Sequence, residues 1–339
     1  MFRDIILLCV VILTGVKLAE QVEFLNQDYI DRINKVASKW KAGMNFDPKL
    51  PKESIVKLFG TKEIEKFFKP INQYKSNDPV YGRNQLIPLK FDARKQWPRC
   101  DMMNTIQNQG FCGSSWAHAV TGAFADRLCI ATDGQFNQLV SAEELTFCCH
   151  LCGFGCHGGY PINAWTYLKR HGVVTGGSYN TTDGCQPYRV PPCDNFQGGP
   201  SSCYDQLKEK NHKCSRSCYG NKTINYNSDH RKTRDAYYLN YNSIQKDIKY
   251  YGPVVASFDV YDDFVSYKSG IYEVTEKATY LGKHAVKVIG WGIDYNNTEY
   301  WLMVNSWGRN WGDGGLFKIR KGTNECRVDD SFTGGVPVF

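Results

Sequence analysis

The cysteines constrain this chain more than any other residue type. Fourteen are present: Cys9 lies in an apolar leader, none follows until Cys100, and thirteen occupy the stretch from Cys100 to Cys326. An odd number cannot pair completely, so the body keeps a free thiol or forms an intermolecular bond. The dense run CCHLCGFGC (Cys148, Cys149, Cys152, Cys156) has the composition of a zinc site as well as of a disulfide cluster. What precedes it decides between the two. The N-terminus, MFRDIILLCVVILTGVKLAEQ, places Arg3 before an apolar run from Ile5 to Val16 and small residues ending near Ala19. That is the pattern of a secretory signal peptide over 1–19, and it is too short for a comfortable membrane span. Entry to an oxidising route makes disulfides the default, so no metal and no cofactor is expected. Asn-x-Ser/Thr triplets at Asn180, Asn221 and Asn296 fit the same route.

Composition narrows the partners. The 339 residues carry 41 Lys and Arg against 34 Asp and Glu, a net charge of +7. There is no Lys/Arg block and no one-sided basic helix, so the surface reads as mixed and solvated rather than as a nucleic-acid or membrane face. With 42% hydrophobic residues, the chain can bury a substantial core, and its length suits a single two-lobed enzyme domain behind a leader.

Residues 20–86 differ from the rest: they lack cysteine and are rich in lysine. NQDYIDRINKVASKWKAG predicts an amphipathic helix with Ile30, Ile33, Val36 or Ala37 and Trp40 on one face, Asp28 near its start and Gly43 at its end. PKESIVKLFG predicts a second, shorter helix between Pro51 and Gly60. The polar stretch KSNDPVYGRNQ then reads as a linker that a protease could reach. Beyond Ile87 the first half is helical. A helix is predicted to begin at Ser115, another at Ser141 with a capping box to Glu144, and a third to run from Pro161 to Gly172. The region from Gly176 to Asp235 holds five cysteines and almost no periodicity, as a stapled loop would. The last hundred residues read as strands: VVASFDV, HAVKVIGWG, EYWLMVNSWG and GGLFKIRKG. A helical lobe followed by a β lobe leaves a cleft between them, a common place for a substrate.

Three segments carry chemistry: QNQGFCGSSWAHAV with Gln109 and Ser115, HAVKVIGWG with His284, and MVNSWGRNWGDGG with Asn305 and Trp307. Alone, His284 reads as a core histidine in an apolar strand, Gln109 and Asn305 as ordinary polar residues, and Trp307 as core. Together and in this order they resemble the papain-family cysteine peptidases, and among them the cathepsin B type. WKAGMNF is similar to that family's propeptide, IPLKFDARKQWPRC to its mature N-terminus, and DGCQPYRVPPCDNFQ to the start of the loop that partly covers the cathepsin B cleft.

The resemblance implies an α+β, papain-like two-lobed fold with a helical left lobe and a β-barrel-like right lobe. It implies a propeptide over 20–86 and a peptidase domain over 87–339. It places Ser115 at the nucleophile position, His284 as base, Asn305 as the group orienting the imidazole and Gln109 in the oxyanion hole. Gly158 and Gly159 would bind an extended peptide, Trp307 would shield the His–Asn bond, and Lys283 would stand at the cleft wall. The implied disulfides are Cys100–Cys129, Cys112–Cys156, Cys148–Cys214, Cys149–Cys152, Cys185–Cys218 and Cys193–Cys203, leaving Cys326 free. The implied partners are peptide or protein substrates and cystatin-type inhibitors, acting on a monomer in the secretory pathway, extracellular or lysosomal.

The sequence departs from that family at the position that matters most. Its signature ends in a cysteine where this chain reads CGSSW, with Ser115 in that place. His118 stands where the family has an aromatic residue and Lys283 where cathepsin B has glycine. Asn195 and Phe196 stand in place of a histidine pair, and Ser331 in place of an acidic residue. Two readings follow: a homologue that has lost ordinary peptidase activity and is kept for binding, or a hydrolase that uses Ser115 with His284.

Overall fold

A computed structural model describes residues 23–62, 86–192 and 210–339. The leader and the Cys193–Cys203 pairing therefore lie outside the described residues, as do Asn195 and Phe196.

The N-terminal segment opens with α1 (Gln27–Val36), capped by the Asn26 side chain, which accepts from the Tyr29 N–H. Sequence periodicity extends this helix to Gly43, yet it stops at Ala37, and β1 (Trp40–Ala42) follows. Tertiary pairing overrides the local pattern: β1 lies antiparallel against Tyr267–Tyr272, with Trp40 opposite Gly270. Trp40 is buried there, and its indole N–H donates to the Glu273 carbonyl at 2.9 Å. A short helix, α2 (Lys52–Val56), starts behind Pro51, where a missing N–H costs nothing. The chain then runs extended through Lys62.

The body begins with β2 (Phe91–Asp92) and α3 (Ala93–Gln96). The helical lobe contains α4 (Ser115–Ala131), α5 (Ala142–Cys148) and α6 (Pro161–Arg170). α4 is almost wholly buried, which is why its sequence is apolar all round rather than striped. At α5 half of the expected capping box forms. Ser141 Oγ accepts from the Glu144 N–H at 2.9 Å, but the Glu144 carboxylate turns away to the Val174 N–H.

The β lobe follows through β3 (Lys232–Thr233), β4 (Tyr237–Leu239), α7 (Tyr241–Tyr251), β5 (Val254–Tyr261), β6 (Tyr267–Tyr272) and β7 (Tyr280–Ile293). It ends with β8 (Glu299–Val304), β9 (Leu316–Arg320), β10 (Phe332–Gly334) and β11 (Pro337–Val338). Its main sheet runs β1-β6-β9-β8-β7-β5-β10-β4, with β2 on β7 and all pairs antiparallel except β6–β9. One apolar core fills this lobe and takes in Ile30, Ile33, Trp40, Phe46, Leu50 and Ile55 from the N-terminal segment. A second core fills the helical lobe around Trp116, Phe124 and Trp165. Each large side chain that the N-terminal segment buries stabilises its docking by about 1.5–3 kcal/mol.

Among the described residues five disulfides form: Cys100–Cys129, Cys112–Cys156, Cys148–Cys214, Cys149–Cys152 and Cys185–Cys218. All four cysteines of CCHLCGFGC are thereby committed, and Cys326 is a buried free thiol. Two buried ion pairs join the elements further: Lys287 of β7 to Asp126 of α4 at 2.7 Å, and Arg127 of α4 to Asp247 of α7.

Candidate active site

Ser115 is the first residue of α4, so its hydroxyl lies at the positive end of a seventeen-residue helix. It is fully buried, and its Oγ accepts from the Ala285 N–H at a long 3.4 Å. The donor belongs to β7, which also carries His284 opposite Phe258 of β5. One residue beyond β8, Asn305 meets His284: the Oδ1–Nε2 distance is 2.8 Å. The same Oδ1 accepts from the Ser306 N–H at 2.8 Å. A backbone N–H can only donate, which identifies Oδ1 as the oxygen and assigns the His284 proton to Nε2. Nδ1 is left as the basic position; it makes no hydrogen bond of ordinary geometry, although the Leu58 backbone of the N-terminal segment acts on the ring and favours its protonated form. Burial pulls the His284 imidazole down to about 4, against the smaller opposing effect of the Asn305 bond. Trp307 lies 4.7 Å from it, ring to ring, and closes that side to water.

Gln109 is held from two directions. Its N–H donates to the Ser306 carbonyl at 2.9 Å, and Ser306 Oγ donates to its Oε1 at 2.6 Å. This fixes the amide nitrogen, which donates to the carbonyls of Cys112 (2.6 Å) and Leu58 (2.9 Å). Sequence reading passed over Ser306, although it directly follows Asn305 and orients both amides. It also did not foresee the chain of polar groups behind the site. His118 Nδ1 lies 3.2 Å from Ser114 Oγ, that oxygen 2.8 Å from the Tyr188 hydroxyl, and the hydroxyl donates to the Gln109 carbonyl at 3.0 Å. His118 is therefore buried against Ser114 and Tyr188, and burial brings it too down to about 4.

The N-terminal segment occupies the cleft. Gly159 donates its N–H to the Gly60 carbonyl at 3.0 Å, and its own carbonyl accepts from Lys62 at 2.9 Å, pairing Thr61 parallel to Gly159. No side chain would fit at Gly159, since a Cβ there would meet the Trp116 ring at 2.6 Å. Gly158 lies beside Lys62 and the Gly60 carbonyl. Phe59 packs edge-on to His284 and beside Trp307, with centroids 6.3 and 6.0 Å away. Lys283 differs from expectation. Its carbonyl accepts from the Thr61 N–H at 3.1 Å, while its ammonium turns aside to Asp259, 3.6 Å away. Asp259 also accepts from Nε and Nη2 of Arg327. The carboxylate opposite Lys283 across the β5–β7 pair captures the charge that would otherwise stand in the cleft.

This arrangement brings to the cleft a hydroxyl at a helix N-terminus, an imidazole oriented by an amide, and a side-chain amide whose N–H groups go to Cys112 and to Leu58 of the N-terminal segment. That is the geometry of an acyl-transfer site, lying in a cleft that binds peptide backbone as a strand. The model for the papain family cysteine proteases matches residues 87–336 and that for the peptidase family C1 propeptide matches residues 25–65, so the chain belongs to this family of propeptide-bearing peptidases. Within it, the similarity runs to the cathepsin B type. The chain is 46% identical to cathepsin B-like cysteine proteinase 4 of Caenorhabditis elegans over 259 residues, covering 74% of this chain and 76% of that protein. It is 41% identical to cathepsin B-like cysteine proteinase 5 of the same organism over 322 residues, or 92% and 90% of the two chains. Among solved structures, procathepsin B S9 from Trypanosoma congolense superposes with a TM-score of 0.79 at 30% identity, covering 93% of this chain and 99% of that one. The papain-like fold with its propeptide in place accounts for the N-terminal segment in the cleft. Among the described residues no helix is long and apolar enough to cross a membrane, and no cluster of three or more His, Cys, Asp or Glu side chains could hold a metal ion.

Proposed function

We propose that this chain is a secreted cathepsin B-like homologue, made as a precursor with a signal peptide over 1–19 and a propeptide over 20–86. Residues 87–339 then form a domain whose peptidase activity is lost or strongly impaired. What it retains is a cleft for extended peptides or cystatin-type inhibitors, acting in the secretory pathway, outside the cell or in a lysosome. The observation that carries this reading is Ser115 in the first turn of α4 beside a neutral His284 held by an amide. A thiol there would ionise under the helix N-terminus and a neighbouring imidazolium, giving a resting thiolate. A hydroxyl does not, so each turnover would require His284 to take its proton and carry a positive charge. Asn305 offers no carboxylate to offset that charge. Replacing the carboxylate of a serine triad with an amide costs about 10⁴ in rate, part of it through the wrong tautomer. In this site the tautomer is the useful one, so only the missing charge counts.

That tautomer favours the second reading, a peptidase that uses Ser115 with Nδ1 of His284 as base. The mature form, Ser115→Ala and Ser115→Cys are to be compared on a peptide amide at acidic and neutral pH. Turnover by the unmodified form that disappears in Ser115→Ala would overturn the pseudoenzyme reading. Activity gained only in Ser115→Cys, with rapid alkylation by iodoacetamide at that position, supports it. Titration with a cystatin tests the binding half, and no measurable affinity removes it.

A further inference from the structure

The three Asn-x-Thr triplets have no part in the cleft, and the fold treats them differently. Asn296 lies in the turn between β7 and β8, where Thr298 is committed to Asp294. The Thr298 N–H donates to Asp294 Oδ1 at 2.7 Å, and its carbonyl accepts from the Asp294 N–H at 3.1 Å. Asn180 is exposed, with φ at 58° in the left-handed region. Asn221 is exposed too, but its turn is stapled. Its N–H donates to the Gly184 carbonyl at 2.7 Å, Tyr219 and Gly220 both donate to the Cys185 carbonyl at 3.1 Å, and Cys185 is bonded to Cys218. Its Oδ1 accepts from both the N–H (3.0 Å) and the hydroxyl (2.7 Å) of Thr223. Among the described residues nothing accepts from its Nδ2, the atom to which a glycan is joined.

Asn221 also lines a pocket of about 870 Å³, whereas Asn180 and Asn296 do not. That volume lies within the roughly 300–1,000 Å³ of small-ligand sites. Met102 and Leu139 give the pocket apolar surface, while Gln138, Thr182 and Asp183 bring an amide, a hydroxyl and a carboxylate. Asp183 and Lys222 balance each other in charge, and four of the lining residues are glycines, which leaves room beside the chain. Apolar surface edged by hydrogen-bonding groups of no net charge suits a neutral sugar ring, whose faces are apolar and whose rim carries hydroxyls. A sugar joined to Asn221 would be tethered beside this pocket, so it would enter at high effective concentration.

We propose that Asn221 carries an N-linked glycan whose first N-acetylhexosamine seats in this pocket. Such a linkage forms in the secretory route, so it rests on the proposed secretion. In the transfer, Nδ2 attacks C1 of an oligosaccharide carried on a lipid diphosphate. The Nδ2–C1 bond forms, the C1–O bond to the diphosphate breaks with its electron pair on oxygen, and one Nδ2 proton passes to a base of the transferase. Oδ1 stays on Thr223 and fixes the direction of the linkage, and the sugar bonds to Gln138 and Asp183. Gln109, Ser115 and His284 do not line the pocket, so the modification is independent of whether Ser115 is catalytic.

The test uses the full chain expressed in cultured insect cells. Glycopeptide mass spectrometry is expected to find Asn221 occupied, bare in Thr223→Ala and occupied again in Thr223→Ser. Seating is read from the rate at which a peptide N-glycosidase releases the glycan, because that enzyme must reach the bond between Asn221 and the sugar. Release from the native chain is expected to be about tenfold or more slower than from the unfolded chain, as one or two hydrogen bonds to the sugar imply. Gln138→Ala/Asp183→Ala should restore most of the rate, and both side chains are exposed, so the thermal midpoint should stay put. A secreted chain with Asn221 bare, whatever stands on Asn180 and Asn296, overturns the proposal and leaves the secretory reading intact. Native release as fast as release from the unfolded chain, or unchanged in the double variant, overturns the seating. A chain kept inside the cells with all three asparagines bare overturns the secretory reading and the proposal together.

Discussion

Gly60 is the tightest point of the propeptide's passage through the cleft. A Cβ at this position would lie 1.9 Å from the Gly113 carbonyl oxygen and 2.3 Å from its carbon. Gly113 cannot retreat, because its N–H donates to Cys156 at 2.8 Å and its neighbour Cys112 is disulfide-bonded to the same Cys156. In Gly60→Ala the propeptide must therefore lift by more than about an ångström to restore ordinary contact. That displacement breaks the bonds from Gly159 to Gly60, from Lys62 to Gly159 and from Thr61 to Lys283. At about 1 kcal/mol net for each hydrogen bond, with a further ~0.5–1 kcal/mol for Phe59 against its aromatic neighbours, the local loss is about 3–4 kcal/mol. The open form should then be populated about 100- to 1,000-fold more. Amide hydrogen exchange at Thr61 and Lys62 reads this directly, since protection tracks the local opening free energy. Protection at both amides is expected to fall by two to three decades, or to the unprotected limit, while β7 amides such as Val286 and Val288 keep theirs. Unchanged protection at Thr61 and Lys62 would show that these contacts do not hold the segment in the cleft, and the reasoning would fail.

Acid should destabilise the precursor in a calculable way. His118 and His284 are brought down to about 4, so the unfolded chain binds their protons first and each costs stability as pH falls from the unfolded value near 6.5. Asp263, raised to about 6 by burial, works in the opposite direction and offsets part of this. The three together predict a loss of about 3–4 kcal/mol between pH 7 and pH 4. Urea midpoints across that range should show it, and His118→Phe should remove about 3 kcal/mol of the acid loss; an identical pH profile in the variant would refute the assignment. Asp247→Asn leaves Arg127 charged and buried with part of its shell gone, and should cost about 3–5 kcal/mol in denaturant unfolding. A change under about 1 kcal/mol would mean that the carbonyls of Pro253 and Gly335 suffice for Arg127. The Cys326 thiol is pushed up by burial and by Glu325, so it should resist a thiol reagent in the native state and react on unfolding. Fast native labelling would place the free thiol elsewhere.

What could be read from the sequence followed from how local each signal is. The Ser141 cap, the Pro161 start and the four apolar strands of the β lobe depend on neighbouring residues and were legible. The N-terminal helix was overextended because Trp40 repeats at a helical spacing from Ile33, while its place is decided by a strand more than two hundred residues away. β6 went unread for a related reason. YKSGIY has weak alternation and becomes a strand by pairing with β1 and β9. The helix α7 was also missed, although its apolar positions Ile244 and Ile248 are a helical turn apart and buried.

At the site, sequence offers candidate groups but not how their charges are balanced. Lys283 is expected at the cleft wall because it directly precedes His284 where cathepsin B has glycine, and that resemblance does not say where its ammonium turns. Asp259 decides it from the adjacent strand, and Arg327 shares that carboxylate. His118, one turn from Ser115, reads from the sequence as a buried or half-buried replacement for the family's aromatic residue rather than as a second base, and its Nδ1 is directed at Ser114. Its ring stands 4.5 Å from Tyr188, where an aromatic side chain would also pack. Through Ser114 and Tyr188 that histidine supports the Gln109 carbonyl, on the side of the oxyanion donor away from Ser306. The amide of Gln109 beside Ser115 is thus held from both sides, by Ser306 at its Oε1 and by Tyr188 at its backbone carbonyl.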